Sequence, residues 1–273
     1  MAEDIERNFV NVLGLKTFYA KVGSGVPVIL IHGGSPGTCS LLNWKPNFTP
    51  LADAGFAVYA FDQPGFGDTE APPDHSMEVR VAHAKAFVAA LGLGKRFHPV
   101  GNSMGAYIAA RMALECPGAD KLILVSSTTL APKGSEAAQA LAQHHVQELR
   151  GYEPTLEHMR KLSQGTFFRK EFVTEDFVQD RYAMSHGWRF DAMRARIAAP
   201  GAKPLGAELG KIDNDTLILW GADDKGAALE RALLLFSALP KAELHIFGQC
   251  AHWVHWDQAD RFNRLVTDFL GRH

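Results

Sequence analysis

"VGNSMGAY", residues Val100–Tyr107, sets Ser103 between Gly101 and Gly105, after the apolar run "FHPV" and before the helix-forming stretch "AYIAARMAL". A strand that turns straight into a helix at a serine strains that serine's backbone. Glycines on both flanks remove the Cβ atoms that so tight a turn would drive together. The helix starting at Met104 aims its free N–H groups and the positive end of its dipole at the same point. The stretch therefore predicts a nucleophile at a strand–helix elbow, against the plain alternative of a routine tight turn.

Working outward, four short unbroken apolar runs stand out: "VPVILIH" (Val26–His32), "FAVYAF" (Phe56–Phe61), "KLILVSS" (Lys121–Ser127) and "DTLILWG" (Asp215–Gly221), with "FHPVGN" and "AELHIF" as weaker members. Such runs fit strands buried on both faces of a parallel sheet. Helical periodicity falls between them, at Met77–Leu91, Tyr107–Leu114 and Arg261–Leu270. Alternating strands and helices predict right-handed crossovers and a doubly wound α/β sheet. After Ser127 the alternation stops for about 85 residues, too long for an unstructured loop in a compact domain. "SEAAQALAQHHVQELR", "TLEHMRKLSQGTFF", "TEDFVQDRYAM" and "FDAMRARIA" within it are amphipathic and rich in helix formers. They predict a helical cap over residues 131–205, inserted into a core made of residues 1–130 and 206–273.

Bulk composition narrows the function. The 273 residues carry 28 Lys+Arg against 30 Asp+Glu, a formal net charge of −2. A nucleic-acid binder would need a basic excess to displace counterions from phosphates. Cys39, Cys116 and Cys250 are odd in number and scattered, giving neither a disulfide framework nor a zinc spacing. No cofactor or metal is expected. The charged start "MAEDIERNF" lacks an apolar signal core, and no run is long enough to span a bilayer. The expectation is a cytoplasmic protein acting on a small molecule, without nucleic-acid or membrane partners.

A serine is a weak nucleophile until a base takes its proton and an acid orients the base. Of the twelve histidines, His252 is best placed, in the loop "GQCAHW" after the strand "AELHIF". His255 is the rival and could equally be a packed neighbour of Trp256. "LWGADDK" supplies Asp223 and Asp224 just beyond a strand; a pair of turn-forming aspartates is the bland reading. Asp224 is preferred over Asp223. "HGGSPG" (His32–Gly37) follows another strand, and its glycines let backbone N–H groups approach a ligand. Gly34 and Met104 are the expected oxyanion donors, with Gly33 and Ser35 beside the substrate. His32 reads as structural.

Together these residues resemble the α/β-hydrolase superfamily, in which acid and then histidine follow the nucleophile along the chain. That resemblance implies the α/β-hydrolase fold, a mostly parallel central sheet flanked by helices with an inserted helical cap. "HGGSPG", "GNSMG", "WGADD" and above all "CAHWVHWDQADRFNRLVTDFL" look like the meta-cleavage product hydrolases, which hydrolyse a carbon–carbon bond in ring-opened aromatic compounds. The resemblance implies 2-hydroxy-6-oxohexa-2,4-dienoate substrates, and a homodimer or larger assembly. It places Ser103, Asp224 and His252 in a triad. It also places Asn43, Asn102, Arg181 and Trp253 around the substrate, Arg181 facing its carboxylate.

Each carried-over residue has a plainer reading: Asn43 as a loop-shaper or helix cap, Arg181 paired with carboxylates on a solvated helix face, Trp253 as core packing. The chain also departs from the family. Ala106, Ala251 and Ser35 replace glycines, a proline expected after the acid is missing from "DDKGAALE", and Glu171 takes a cap position where a small hydroxyl is common. A carboxylate there would repel an anionic substrate. An ordinary carboxylesterase or lactonase is the enzymatic alternative; a non-catalytic ligand-binding receptor on this scaffold is the alternative from another class.

Overall fold

The computed structural model describes residues 5–272; residues 1–4 of the charged start, and residue 273, lie outside them. The first half runs β1 (Glu6–Val12), β2 (Leu15–Val22), β3 (Val26–Ile31), α1 (Ser40–Trp44), α2 (Phe48–Asp53), β4 (Phe56–Phe61), α3 (Met77–Ala90), β5 (His98–Asn102), α4 (Met104–Glu115) and β6 (Leu122–Val125). Next come α5 (Glu136–Arg150), α6 (Leu156–Thr166), α7 (Glu175–Ala183) and α8 (Trp188–Ala198). The chain closes with β7 (Thr216–Gly221), α9 (Leu229–Ala238), β8 (Ala242–Phe247), α10 (Val254–Asp257) and α11 (Ala259–Gly271).

Among the described residues eight strands form one sheet, ordered β1-β2-β4-β3-β5-β6-β7-β8. From β4 to β8 neighbours are parallel, while β1–β2 and β2–β4 are antiparallel. This is the α/β-hydrolase fold. The apolar runs become the buried parallel strands. β1 and β2 lie outside those runs because β1, at the sheet's edge, is largely open to solvent, and Lys16, Thr17 and Lys21 interrupt the apolar residues of β2. The helices cover both faces. One core layer gathers Phe87, Ile108, Trp220 and Leu235, the other Trp44, Phe48, Phe262 and Phe269.

Two features of this topology create a site. β3 pairs with β4 on one side and β5 on the other, so the winding reverses between β3 and β5. At such a switch point the segments leaving the carboxyl ends of adjacent strands diverge and leave a crevice. His32–Gly37 leaves β3 there and Ser103 leaves β5. The second feature is the α5–α8 segment. Ser135, Thr155 and Thr174 each cap a helix, accepting from the N–H of Ala138 (3.3 Å), His158 (3.2 Å) and Phe177 (3.2 Å). Among the described residues no helix is long and apolar enough to cross a membrane.

Candidate active site

Ser103 stands at φ 55°, ψ −119°, outside the favoured regions for a residue with a Cβ. Its surroundings enforce that strain. Its N–H donates to the Val125 carbonyl at 2.9 Å, and its carbonyl accepts from Ser127 Oγ at 2.6 Å. A Cβ at Gly101 would lie 2.2 Å from the Gly105 carbonyl oxygen, and one at Gly105 2.1 Å from that of Ile31. Both glycines are thus required by close backbone approach. Strain of about 1–3 kcal/mol survives at such positions only when neighbours over-determine it.

His252 Nδ1 and Asp224 Oδ2 are 2.7 Å apart. Asp224 is almost wholly buried, and its other oxygen accepts from the N–H groups of Gly226 (2.8 Å) and Ala227 (2.9 Å). Nδ1–H is therefore the donor, which frees Nε2 to face a nucleophile. Burial works against the imidazolium, yet the charge and hydrogen bond of Asp224 outweigh it and hold the His252 pKa above its ordinary value. Asp223 has a different job: exposed, it accepts from the Cys250 N–H at 3.2 Å and so ties down the histidine loop. His255 is buried with its ring 4.4 Å from that of Trp44, and burial pushes its pKa down to about 3.

Ser103 lines a cavity of about 300 Å³ with Gly34 and Met104. His252 and Asp224 line an adjoining one of about 460 Å³, and Ser35 and His145 border both. Among the described residues there is no hydrogen bond between Ser103 Oγ and His252 Nε2; catalytic contacts of this kind commonly tighten only around substrate. Neither Gly34 nor Met104 gives its N–H to an acceptor among the described residues. The β3 loop comes close to the elbow, since a Cβ at Gly33 would sit 3.2 Å from Ser103 Cβ. His32 keeps the loop in place as a structural residue, with Nδ1 2.7 Å from the Gly33 carbonyl oxygen and Nε2 accepting from the Gln63 N–H at 3.0 Å.

Asn43, Asn102, Arg181 and Trp253 are all buried, and Arg181 stands one residue behind the His252 cavity, bonded at 3.4 Å to Thr166 of its wall. Asn43 lies within α1, fully buried, and neither amide atom has a protein partner; it neither shapes a loop nor caps a helix. Asn102 donates to the carbonyls of Val125 (3.3 Å) and His252 (3.5 Å), leaving Oδ1 unpaired. Arg181 is fully buried, so the solvated-face reading fails. It donates to Ser163 Oγ (3.0 Å) and the Pro36 carbonyl (3.0 Å), while Nε has no partner. Burial lowers its pKa to about 10, which keeps it cationic at neutral pH. Its guanidinium carbon lies 5.4 Å from the ring of Trp253, itself buried against Phe167 and Phe177. Glu171 is exposed and bonds Arg169 at 2.7 Å, away from the site, so the expected repulsion does not arise.

Two residues near the site escape sequence reasoning. His145 on α5 reaches the boundary of both cavities, one of two adjacent histidines with nothing in the sequence to separate them. Asp257 accepts from the N–H groups of Ala251 (2.8 Å), Phe168 (2.8 Å) and Arg169 (3.0 Å), joining the histidine loop to the cap. It reads in the sequence as an ordinary acid at a helix end.

Comparison with known proteins gives the family of the chain. The profile of the alpha/beta hydrolase family matches residues 28–265. The 2-hydroxy-6-oxo-6-phenylhexa-2,4-dienoate hydrolase of Comamonas testosteroni is 34% identical over 92% of this chain and 90% of its own. The 2-hydroxy-6-oxononadienedioate/2-hydroxy-6-oxononatrienedioate hydrolase 1 of Dechloromonas aromatica (strain RCB) is 33% identical over 94% and 91%. A mutant of the meta-cleavage product hydrolase from Pseudomonas fluorescens IP01, complexed with acetates, superposes with a TM-score of 0.84 at 30% identity, covering 96% of this chain and 97% of that one. A strained serine at the sheet's switch point, within a chain similar to these proteins along nearly its whole length, has one reading: the protein is a member of the alpha/beta hydrolase family, among the meta-cleavage product hydrolases.

Proposed function

We propose that the protein is a serine-dependent hydrolase of 2-hydroxy-6-oxohexa-2,4-dienoates, cleaving the carbon–carbon bond beside the 6-ketone to give 2-hydroxypenta-2,4-dienoate and a carboxylic acid. The observation that carries the reading is a set of buried polar atoms without partners: both amide atoms of Asn43, the Oδ1 of Asn102, whose Nδ2 reaches the His252 carbonyl, and the Nε of Arg181, whose guanidinium lies against Trp253. Buried polar atoms are rarely left unpaired unless a ligand satisfies them. A neutral ester needs none of them; a dienoate presents a carboxylate that would accept from Arg181 Nε and Asn43 Nδ2, and a 2-hydroxyl that would donate to Asn102 Oδ1.

The chemistry assigns each group a role. A dienol cannot expel a stable carbanion, so it is first protonated on the carbon next to the 6-ketone, becoming the keto form. Ser103 Oγ then adds to the 6-ketone as its proton passes to His252 Nε2, and the oxyanion is received by the N–H groups of Gly34 and Met104. The carbon–carbon bond breaks with its electron pair delocalised toward the 2-oxygen, where Arg181 and the free Nδ2 of Asn43 favour negative charge. His252 returns a proton to that fragment. Water hydrolyses the acyl-serine, its hydroxyl ending on the acyl carbon and its proton restoring the cycle.

The test is the absorbance of a yellow dienoate mixed with the protein. Bleaching by the wild type, lost in Ser103→Ala, is the expected result. A neutral aryl ester cleaved while the dienoate stays yellow would make the protein an ordinary esterase. Tight dienoate binding with no product would make it a receptor.

A further inference from the structure

The cavity that holds Ser103 is basic in a way the proposed reaction does not require. Its lining includes Arg80, Arg196, Arg150 and His75, and no carboxylate. Arg80, in the first turn of α3, is buried; it donates through Nη1 to the Pro64 carbonyl at 2.8 Å, and its Nε is buried without a partner. Arg196, in the last turn of α8, donates to the Gly34 carbonyl at 2.5 Å, and its Nε is also buried and unpaired. His75 Nδ1 is a third buried polar atom without a partner. Both guanidiniums lie against one ring, Phe66, at 5.4 Å and 5.1 Å from its centroid.

Arg80 and Arg196 form no ion pair among the described residues, and Arg196 bears on Arg80 as a like charge. Burying unpaired like charges together is costly unless an anion joins them. Arg80 compounds that cost by occupying a helix's first turn, where the dipole disfavours a cation. The carboxylates nearest in sequence are exposed and engaged elsewhere: Glu78 faces Lys203 Nζ at 3.9 Å, and Asp74 takes the Ser76 N–H at 2.8 Å. Burial lowers the pKa of Arg80 to about 9 and that of Arg196 to about 10, so both stay charged at neutral pH.

Their position selects the part of the ligand they meet. Thr166, within 3.4 Å of Arg181, lines the His252 cavity, whereas Arg80 and Arg196 line the Ser103 cavity. The two cationic groups therefore belong to different cavities, Arg181 behind the wall of one and Arg80 with Arg196 in the lining of the other, and the two cavities meet at Ser35 and His145. If the dienoate carboxylate is held on the Arg181 side, the 6-acyl group extends toward Arg80 and Arg196. Resting on the carbon–carbon hydrolase reading, we infer that Arg80, Arg196 and His75 are a second anion subsite, which takes a carboxylate at the far end of the 6-acyl group. The preferred substrate is then a dicarboxylate, and its acyl product is a short dicarboxylic acid.

The experiment compares two dienoates of equal chain length, one with a carboxylate and one with a methyl group ending the 6-acyl chain. In the wild type kcat/KM favours the carboxylate-ended substrate by about 10- to 100-fold, the yield of a charge-assisted contact. In Arg80→Gln that ratio falls toward one. Equal kcat/KM values in the wild type, or an undiminished ratio in folded Arg80→Gln, overturn the subsite. If Arg80→Gln does not fold, His75→Gln and Arg196→Gln carry the same ratio test. If neither dienoate is cleaved, the hydrolase reading fails by itself and calorimetry decides the subsite. Glutarate binding more tightly than pentanoate to the wild type, with the difference lost in the folded variant, supports it; indifferent binding overturns it.

Discussion

The imidazoles of His145 and His252 lie 6.0 Å apart, centroid to centroid, one carried by α5 of the inserted segment and the other by the loop after β8. They are driven in opposite directions. Burial, then the His252 charge, pushes the His145 pKa down. Burial also opposes the His252 cation, but Asp224 holds its pKa above the ordinary 6.5. The protein thus keeps one neutral imidazole beside one that is poised to accept a proton.

The pH dependence of turnover follows from that difference. On the proposed mechanism His252 must be neutral to take the Ser103 proton, so kcat/KM is expected to fall as pH drops through its raised pKa, with the acid limb centred above 6.5. In Asp224→Asn burial remains and the carboxylate is gone; the limb moves below 6.5 and kcat falls by about 10⁴. A pH–rate profile checks both, and an unmoved limb would assign it to another group. The stability effect has a definite sign. With the folded pKa raised, the His252–Asp224 pair favours the folded chain most below pH 6.5, and that contribution is lost as pH rises through the folded value.

Asp257 joins the histidine loop to the cap through three backbone N–H groups. Asp257→Ala would strand donors that have no other partner, at about 1–3 kcal/mol for each buried one. A net loss of about 3 kcal/mol corresponds to a Tm lower by roughly 6–12 °C. Scanning calorimetry checks the size of the change. Limited proteolysis checks its location, with earlier cleavage around Phe168 expected; an unchanged Tm would show that the tether contributes nothing.

Gly105→Ala tests the elbow without touching a functional group. The added methyl would lie 2.1 Å from the Ile31 carbonyl oxygen, on a strand paired on both sides, so neither partner has room to withdraw. The expected outcome is a chain that fails to accumulate as soluble folded protein. Normal circular dichroism and Tm in that variant would contradict the close approach of α4 to β3.

The parts of this architecture that follow local rules were legible in the sequence. Unbroken apolar runs foretell strands buried on both faces, and Gly101 and Gly105 foretell the elbow, because each signal arises from a constraint within a few residues. The β1–β2 hairpin was not legible, since β1 at the edge is largely open to solvent and Lys16, Thr17 and Lys21 break up the apolar run of β2. Arg181 shows the limit at the site. On its helix it reads as one charge among Glu175, Asp176 and Asp180, and only the docking of α7 against Pro36 and Ser163 buries it. Arg80 and Arg196, more than a hundred positions apart, meet at Phe66 through tertiary structure that no spacing rule encodes.

Arg181 also yields the test that separates carbon–carbon hydrolysis from ester hydrolysis within one variant. On the proposed mechanism its charge matters where negative charge collects on the dienolate, which forms only when a carbon–carbon bond breaks. A neutral aryl ester places no such charge there and needs only Ser103, His252 and the oxyanion donors. Arg181→Gln is therefore expected to lower kcat/KM for the dienoate by about 10². It should lower kcat/KM for the ester far less, because any general loosening of the cap affects both substrates alike and cancels from the ratio. Equal losses on the two substrates would reduce Arg181 to a packing residue that holds α6, α7 and the Pro36 loop together, and the carboxylate would then have to bind elsewhere in the cavity.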